Sequence, residues 1–123
     1  MRKLIKTFKA LSDPNRIRIL KMLEIRSLCV CEIAEVLKLA NSTVSKHLSI
    51  LRDADLIVDH KDGKWVNFRL NKETSERYGQ ELLGFLEKIL PNEDIIVRDA
   101  EKVHSVDRVA ICCKIERHHH ELA

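Results

Sequence analysis

Four cysteines stand as two close pairs, Cys29/Cys31 and Cys112/Cys113, and three histidines run together as His118, His119 and His120. In a reducing compartment, sulfur pairs at such short spacing read as metal ligands or redox groups rather than as a disulfide framework. A thiol redox enzyme is the weaker of the two readings. No Cys-x-x-Cys sits in a strand-helix-strand setting, and no nucleophile has an evident base partner.

A second set of residues suits recognition rather than capture. Ser42, Thr43, Ser45, Lys46 and Ser49 share the outward positions of a helix whose inner face is Val44, Leu48 and Leu51. Short hydroxyls and a cation on such a face fit base edges and phosphates in a major groove, although a plain solvated helix face has the same look. His47 lies beside the inner face, where packing or a phosphate contact is as well motivated as a base contact. Lys61 and Lys64 flank a turn at Asp62-Gly63, where cations can meet phosphates next to an occupied groove.

These groups need a scaffold. Leu4, Phe8 and Leu11 recur at helical spacing and predict a short amphipathic first helix with a basic opposite face. Asp13 can cap a second helix that has Pro14 in its first position, and Ile17, Ile19, Leu20, Met22, Leu23 and Ile25 make that helix the buried centre. Val30, Ile33, Ala34 and Leu37 mark a third helix, with the fourth starting after Lys38 to Asn41, so the two form a helix-turn-helix. From Leu56 to Leu70 the period shifts towards two, predicting a β-hairpin with Trp65 and Phe68 in its core. Helix-turn-helix followed by hairpin is a winged helix.

Tyr78, Leu82, Phe85, Leu86 and Ile89 then predict a long helix over 73–90, ended by Pro91. One domain is too small to cover that stripe and the Leu4/Phe8 face as well, so the two together predict a homodimer surface. Residues 92–123 form a C-terminal extension with partial helical periodicity at Val106, Val109, Ala110 and Cys113.

The composition agrees with this frame. A chain of 123 residues, 45% hydrophobic and 33% charged, has material for one core and excludes a large two-domain enzyme. With three Gly and two Pro it lacks the turns of an all-β barrel, so a mainly α fold is expected. The net charge of +3 says little, but residues 1–26 are basic and residues 72–123 net acidic, which suits a polyanion at the front end. No apolar run reaches the roughly 18–20 residues of a membrane span, and Met1 to Lys9 lacks a signal sequence, so a cytoplasmic protein without membrane contact is expected.

Four phrases, in this order and at these separations, carry a resemblance. They are Ala10-Leu11-Ser12-Asp13-Pro14-Asn15-Arg16, Leu28-Cys29-Val30-Cys31-Glu32-Ile33, Ser42 through Arg52, and Gly63 through Leu70. Over about residues 3 to 90 the chain resembles the ArsR/SmtB family of winged-helix metalloregulatory repressors, its arsenic-responsive branch above all. The resemblance implies a cytosolic homodimer, not an enzyme, that binds double-stranded operator DNA and leaves it when a toxic metal or metalloid binds. It implies a DNA-binding and dimerisation domain over 1–91, with the extension 92–123 beyond it. Asp55 stands where relatives usually have Gly at the end of the reading helix, and Asp tolerates a left-handed backbone better than most residues.

Within that resemblance, the soft thiolates of Cys29 and Cys31 suit As(III) or Sb(III), with Cd, Pb or Zn as alternatives. Amide hydrogens and the dipole at the start of the third helix are expected to favour the thiolate form. An ion drawing both sulfurs together would distort that helix's first turn, and the helix supports the one that reads DNA. The alternative is that both cysteines are small buried hydrophobes. The arsenic branch has a third cysteine where this chain has Ala34, and the cadmium/lead branch completes its site from an N-terminal arm, whereas Met1 to Lys9 has no cysteine. The third donor is then Cys112 or Cys113, possibly across the dimer, or an exogenous thiol, or the site is two-coordinate; alternatively Cys112 and Cys113 form a separate site. The zinc-sensing branch is matched only by half a motif, His118-x-x-Glu121.

Overall fold

In a computed structural model, which describes residues 1–74 and 77–111, the order of elements is α1 (Arg2–Leu11), α2 (Pro14–Leu23), β1 (Leu28–Cys29), α3 (Val30–Leu37), α4 (Asn41–Asp53), β2 (Ile57–Asp62), β3 (Trp65–Leu70), α5 (Arg77–Lys88) and α6 (Asp94–Ser105). Asp13 caps α2 as its position predicts, its Oδ1 accepting from the backbone N–H of Asn15 at 2.8 Å and of Arg16 at 3.2 Å. Pro14 follows at a position where its missing amide hydrogen costs nothing. Ile19, Leu20, Met22 and Leu23 of α2 are buried and meet Ile33, Val36, Val44, Leu48 and Leu51 of α3 and α4 in one core. Ile25, expected in that centre, lies beyond the end of α2 and is exposed.

Between α3 and α4 the chain turns in three residues. Lys38 takes a left-handed conformation with φ 58°, and the Leu39 N–H returns to the Ala34 carbonyl. Asp55 does the same at the end of α4, with φ 62°. Its N–H reaches the Arg52 carbonyl and the Leu56 N–H reaches Leu51, the paired bonds of a Schellman stop. The helix ends there without a glycine, as the tolerance of Asp for this region predicts.

The wing is a three-stranded antiparallel sheet in the order β1-β3-β2. Its outer pair runs from Ile57↔Leu70 to Asp62↔Trp65, so the tight loop is Gly63-Lys64 rather than Asp62-Gly63, with Gly63 at φ 61°. The third strand, β1, escapes any periodicity argument because it is only Leu28 and Cys29, paired with Phe68 and Asn67. Phe68 is buried in the core, whereas Trp65 is only half-buried.

The C-terminal part departs most from expectation. The helix predicted over 73–90 is the shorter α5, and Leu90 at φ 60° starts a new turn before Pro91. A separate helix, α6, then packs against α2 and α3, burying Ile96, Asp99 and Val103. The chain is extended at Val106, so no single stripe joins Val106, Val109 and Ala110, and Val109 is 55% exposed. Cys113, the last member of that predicted stripe, lies outside the described residues. On α1 the buried side chains are Thr7 and Ala10, while Ile5 and Phe8 face outward. No helix among the described residues is long and apolar enough to cross a membrane.

Candidate nucleic-acid interface and thiol centre

The inner face of α4 is held by burial of Val44, Leu48 and Leu51. With a helical period of 3.6, that fixes Ser42, Thr43, Ser45, Lys46 and Ser49 on the exposed side. His47 sits between the two faces, half-buried, with Nδ1 3.3 Å from Nη1 of Arg16. A guanidinium only donates, so Nδ1 accepts and the proton of a neutral His47 ring is assigned to Nε2. Arg16 also donates to the Ala10 carbonyl at 2.7 Å and to Lys9 at 3.2 Å, joining the end of α1 to the reading face of α4.

Lys61 and Lys64 are exposed at the wing tip. Two cations lie over the Trp65 ring, Lys64 Nζ and the Arg108 guanidinium, each 5.1 Å from its centroid. Arg108 also donates to Asn67 Oδ1 at 3.2 Å and to Asp62 Oδ2 at 2.9 Å, which holds the Asp62 carboxyl below the usual carboxylate range. Arg52 on α4 reaches Asp59 on β2 at 2.8 Å, an exposed tie between reading helix and wing. Polar and cationic side chains are thus exposed both on α4 and at the wing tip, on two elements tied by the Arg52–Asp59 pair.

The first cysteine pair lies at the start of α3. Cys29 is the N-cap residue and is 3% exposed, while Cys31, in the first turn, is half-buried. Glu32, itself 4% exposed, returns to the cap: its Oε1 accepts from the Cys29 N–H at 3.0 Å, while its own N–H points to the Cys29 sulfur. This is a capping box with a thiol in the place of a hydroxyl. Burial pushes the Cys29 thiol up to about 11, the Glu32 N–H pulls the other way, and the Glu32 carboxylate adds to the rise. The expected thiolate at Cys29 is therefore corrected: loss of water outweighs the helix-end amides.

Cys31 is met by Asn41 of α4, whose Nδ2 lies 4.0 Å from the sulfur, so the thiol centre abuts the first residue of the reading helix. Cys29 and Cys31 supply two sulfur donors, and no group of three His, Cys, Asp or Glu side chains among the described residues is arranged to hold a metal ion. Cys112, Cys113 and His118 to His120 lie outside the described residues.

Sequence reasoning missed three working residues. Glu32 was legible, because Cys29-x-x-Glu32 has the spacing of a cap and its returning acid. The second is Arg26, which donates to Glu32 Oε2 at 3.1 Å and to the carbonyls of Val103 at 3.1 Å and Val106 at 2.9 Å. The third is Arg108; its partners, like the α6 carbonyls that Arg26 meets, lie dozens of positions away and leave no local signal.

Residues 13–58 match the model of the arsR family of bacterial regulatory proteins. An arsenical resistance operon repressor of Escherichia coli is 41% identical over 68 residues, 54% of this chain and 58% of that protein, so the chain spans less than two thirds of that relative. The arsenic resistance transcriptional regulator ArsR2 of Pseudomonas putida is 32% identical over 111 residues, 86% of this chain and 94% of the relative. Among solved structures, reduced HlyU from Vibrio cholerae superposes with a TM-score of 0.61 at 28% identity, over 73% of this chain and 90% of that one.

Proposed function

The chain belongs to the ArsR family of bacterial regulatory proteins, and from that premise we propose that it is a cytoplasmic, homodimeric repressor of operator DNA, released when As(III) or Sb(III) binds its cysteines. One observation carries this reading. Ser42, Thr43, Ser45, Lys46 and Ser49 are exposed on a helix tied to the wing by Arg52 and Asp59, and Cys31, one of the two thiols at the start of α3, meets the first residue of that same helix. Residues 1–91 would bind DNA and dimerise, and the extension 92–123 would carry the second cysteine pair.

In this reading α4 enters a major groove, with its hydroxyls and Lys46 at base edges and phosphates. Lys61 and Lys64 meet the adjoining backbone. His47, turned inward by Nδ1, offers Nε2–H to a phosphate oxygen rather than both ring nitrogens to a base. Two such wedges in a two-fold dimer fit half-sites about one DNA turn apart.

The raised Cys29 thiol suits a metalloid hydroxide better than a bare divalent cation. Each thiol that captures arsenite exchanges an As–O bond for an As–S bond, and its proton leaves with the hydroxide as water. A divalent cation has no hydroxide of its own to take that proton. Drawing Cys29 and Cys31 onto one centre pulls on the capping box and on the Asn41 contact. A coupling of about 1–3 kcal/mol changes operator affinity roughly 5- to 150-fold.

The test is titration of the operator-bound dimer with arsenite, antimonite, cadmium, lead and zinc. It is run on the parent, on Cys29→Ser/Cys31→Ser and on Cys112→Ser/Cys113→Ser. Release by the two metalloids, abolished in the first variant, is the expected result. Release by cadmium or lead alone would transfer the reading to the cadmium/lead branch, full release in the first variant would remove Cys29 and Cys31 from the site, and insulin reduction without DNA binding would favour a thiol redox protein.

A further inference from the structure

The carboxylate of Glu32 is shared between two jobs. Its Oε1 holds the Cys29 N–H at 3.0 Å, and its Oε2 holds Arg26 Nη2 at 3.1 Å. That same Nη2 reaches the carbonyls of Val103 at 3.1 Å and Val106 at 2.9 Å, at the end of α6, where a cation also meets the negative end of the helix dipole. Val103 is fully buried in the core, so this end of α6 is anchored to the scaffold. Two residues beyond Val106 the chain reaches Arg108, which grips Asp62 and Asn67 of the wing and lies over Trp65.

We propose that Arg26 and Glu32 are positioning residues that transmit occupancy of Cys29 to the end of α6, and through Arg108 to the wing. The proposal rests on the reading of Cys29 as a thiol that captures the inducer. It adds a second route of release, separate from the contact of Cys31 with the reading helix. The buried Glu32 carboxylate holds one partner on each oxygen, so a displacement of either partner is carried to the other. When sulfur capture displaces the Cys29 cap, Glu32 follows it, and Arg26 must lose either the carboxylate or the α6 carbonyls. Either loss loosens the segment that carries Arg108, and the wing loses its grip from the C-terminal side. Coupling of this kind runs both ways, so a change at Arg26 must also be felt at Cys29.

Two measurements on the full chain decide the matter. The first needs neither metal nor DNA: amide hydrogen exchange at Cys29 and at Val106 in the parent, Arg26→Met and Glu32→Gln. Exchange faster by about tenfold at both ends in Arg26→Met is expected, with a smaller rise at Val106 in Glu32→Gln, whose amide oxygen can keep the cap bond. A rise at Val106 with Cys29 unmoved overturns the relay. The second uses Trp65, the chain's one tryptophan, as a reporter of the wing. Arsenite should change its emission in the parent, leave it unchanged in Cys29→Ser, and produce at least a fivefold smaller change in Arg26→Met that still takes up arsenite by intact mass. An undiminished change in that variant overturns the relay while leaving capture by Cys29 standing. Failure of arsenite to bind the parent overturns the capture reading instead, and the relay is then decided by exchange alone. Should Arg26→Met not fold, Arg26→Lys serves, because a single ammonium cannot span Glu32 and both carbonyls in the planar geometry of the guanidinium.

Discussion

Cys29 combines two demands that pull apart: it caps a helix, where a good acceptor is wanted, and it sits out of water, where a charge is costly. Water wins, and the thiol rises to about 11 from an ordinary value of 9.0. The folded state then holds a proton that the unfolded chain releases first. Stability from this group is therefore present below about pH 9 and falls as pH rises from there through about 11, by on the order of 1–2 kcal/mol. Urea unfolding of the parent and of Cys29→Ala across pH 8 to 11 isolates it, because lysines and tyrosine are common to both. The gap between the two midpoints should narrow or reverse with rising pH, and a constant gap would show that the thiol is not desolvated. The candidate site was legible to the extent that residue type and helical phase decide it. The outward positions of α4 and the wing lysines needed only a period of 3.6 and a turn. The protonation of Cys29 depends on its burial on the strand beside β3 and on Glu32, neither of which spacing alone determines.

At the scale of elements, both helices of the helix-turn-helix stop on left-handed residues that are not glycine, Lys38 and Asp55. For Asp55 a short side chain eases the strain, but Lys38 brings a full Cβ and stem into a region that costs an L residue about 1 kcal/mol or more. Its side chain forms an exposed pair with Glu35 at 3.2 Å, worth little in water. Lys38→Gly should therefore raise stability by about 0.5–1 kcal/mol after the added freedom of the unfolded chain is subtracted, while Lys38→Val should lower it. Urea midpoints measure both, and a destabilised glycine variant would refute the strain. The helices were legible where long apolar periods and strong caps coincide, as in Asp13-Pro14 and Val44/Leu48/Leu51. They were not legible at β1, because two residues make no period, nor at α6. There Ile96, Asp99 and Val103 form the buried face, and a carboxylate occupies an inward position that a hydrophobic pattern assigns to the surface.

That carboxylate matters for the molecule as a whole. Asp99, 2% exposed, accepts Arg18 Nε at 2.8 Å and Nη2 at 2.9 Å, a bidentate pair that clamps α6 onto α2. Removing the acid alone should cost about 3 kcal/mol, since it strands a partly buried guanidinium, whereas Arg18→Met/Asp99→Leu should recover most of the loss. Equal losses in the single and double variants, in urea unfolding, would show that the pair stabilises α6 directly and not merely by satisfying itself. With α6 clamped in place, the core is closed on one side, and the large apolar side chains left outside it include Ile5 and Phe8 on α1 and Phe85 on α5. Phe85 is 60% exposed although Leu83 and Leu86 beside it are buried, so its helix has already satisfied this chain's own core. In the dimer proposed above, a second copy would cover that ring, and a dimer is also what two half-sites on DNA would require. Phe85→Lys should then leave the unfolding midpoint of the isolated chain within about 0.5 kcal/mol, because no internal packing is lost. It should instead convert the dimer to monomer by light scattering. Operator affinity should fall by on the order of 100-fold or more, since two wedges no longer bind as one unit. A variant that stays dimeric and binds normally would place the dimer contact elsewhere, with the Ile5/Phe8 face of α1 the next to be tested.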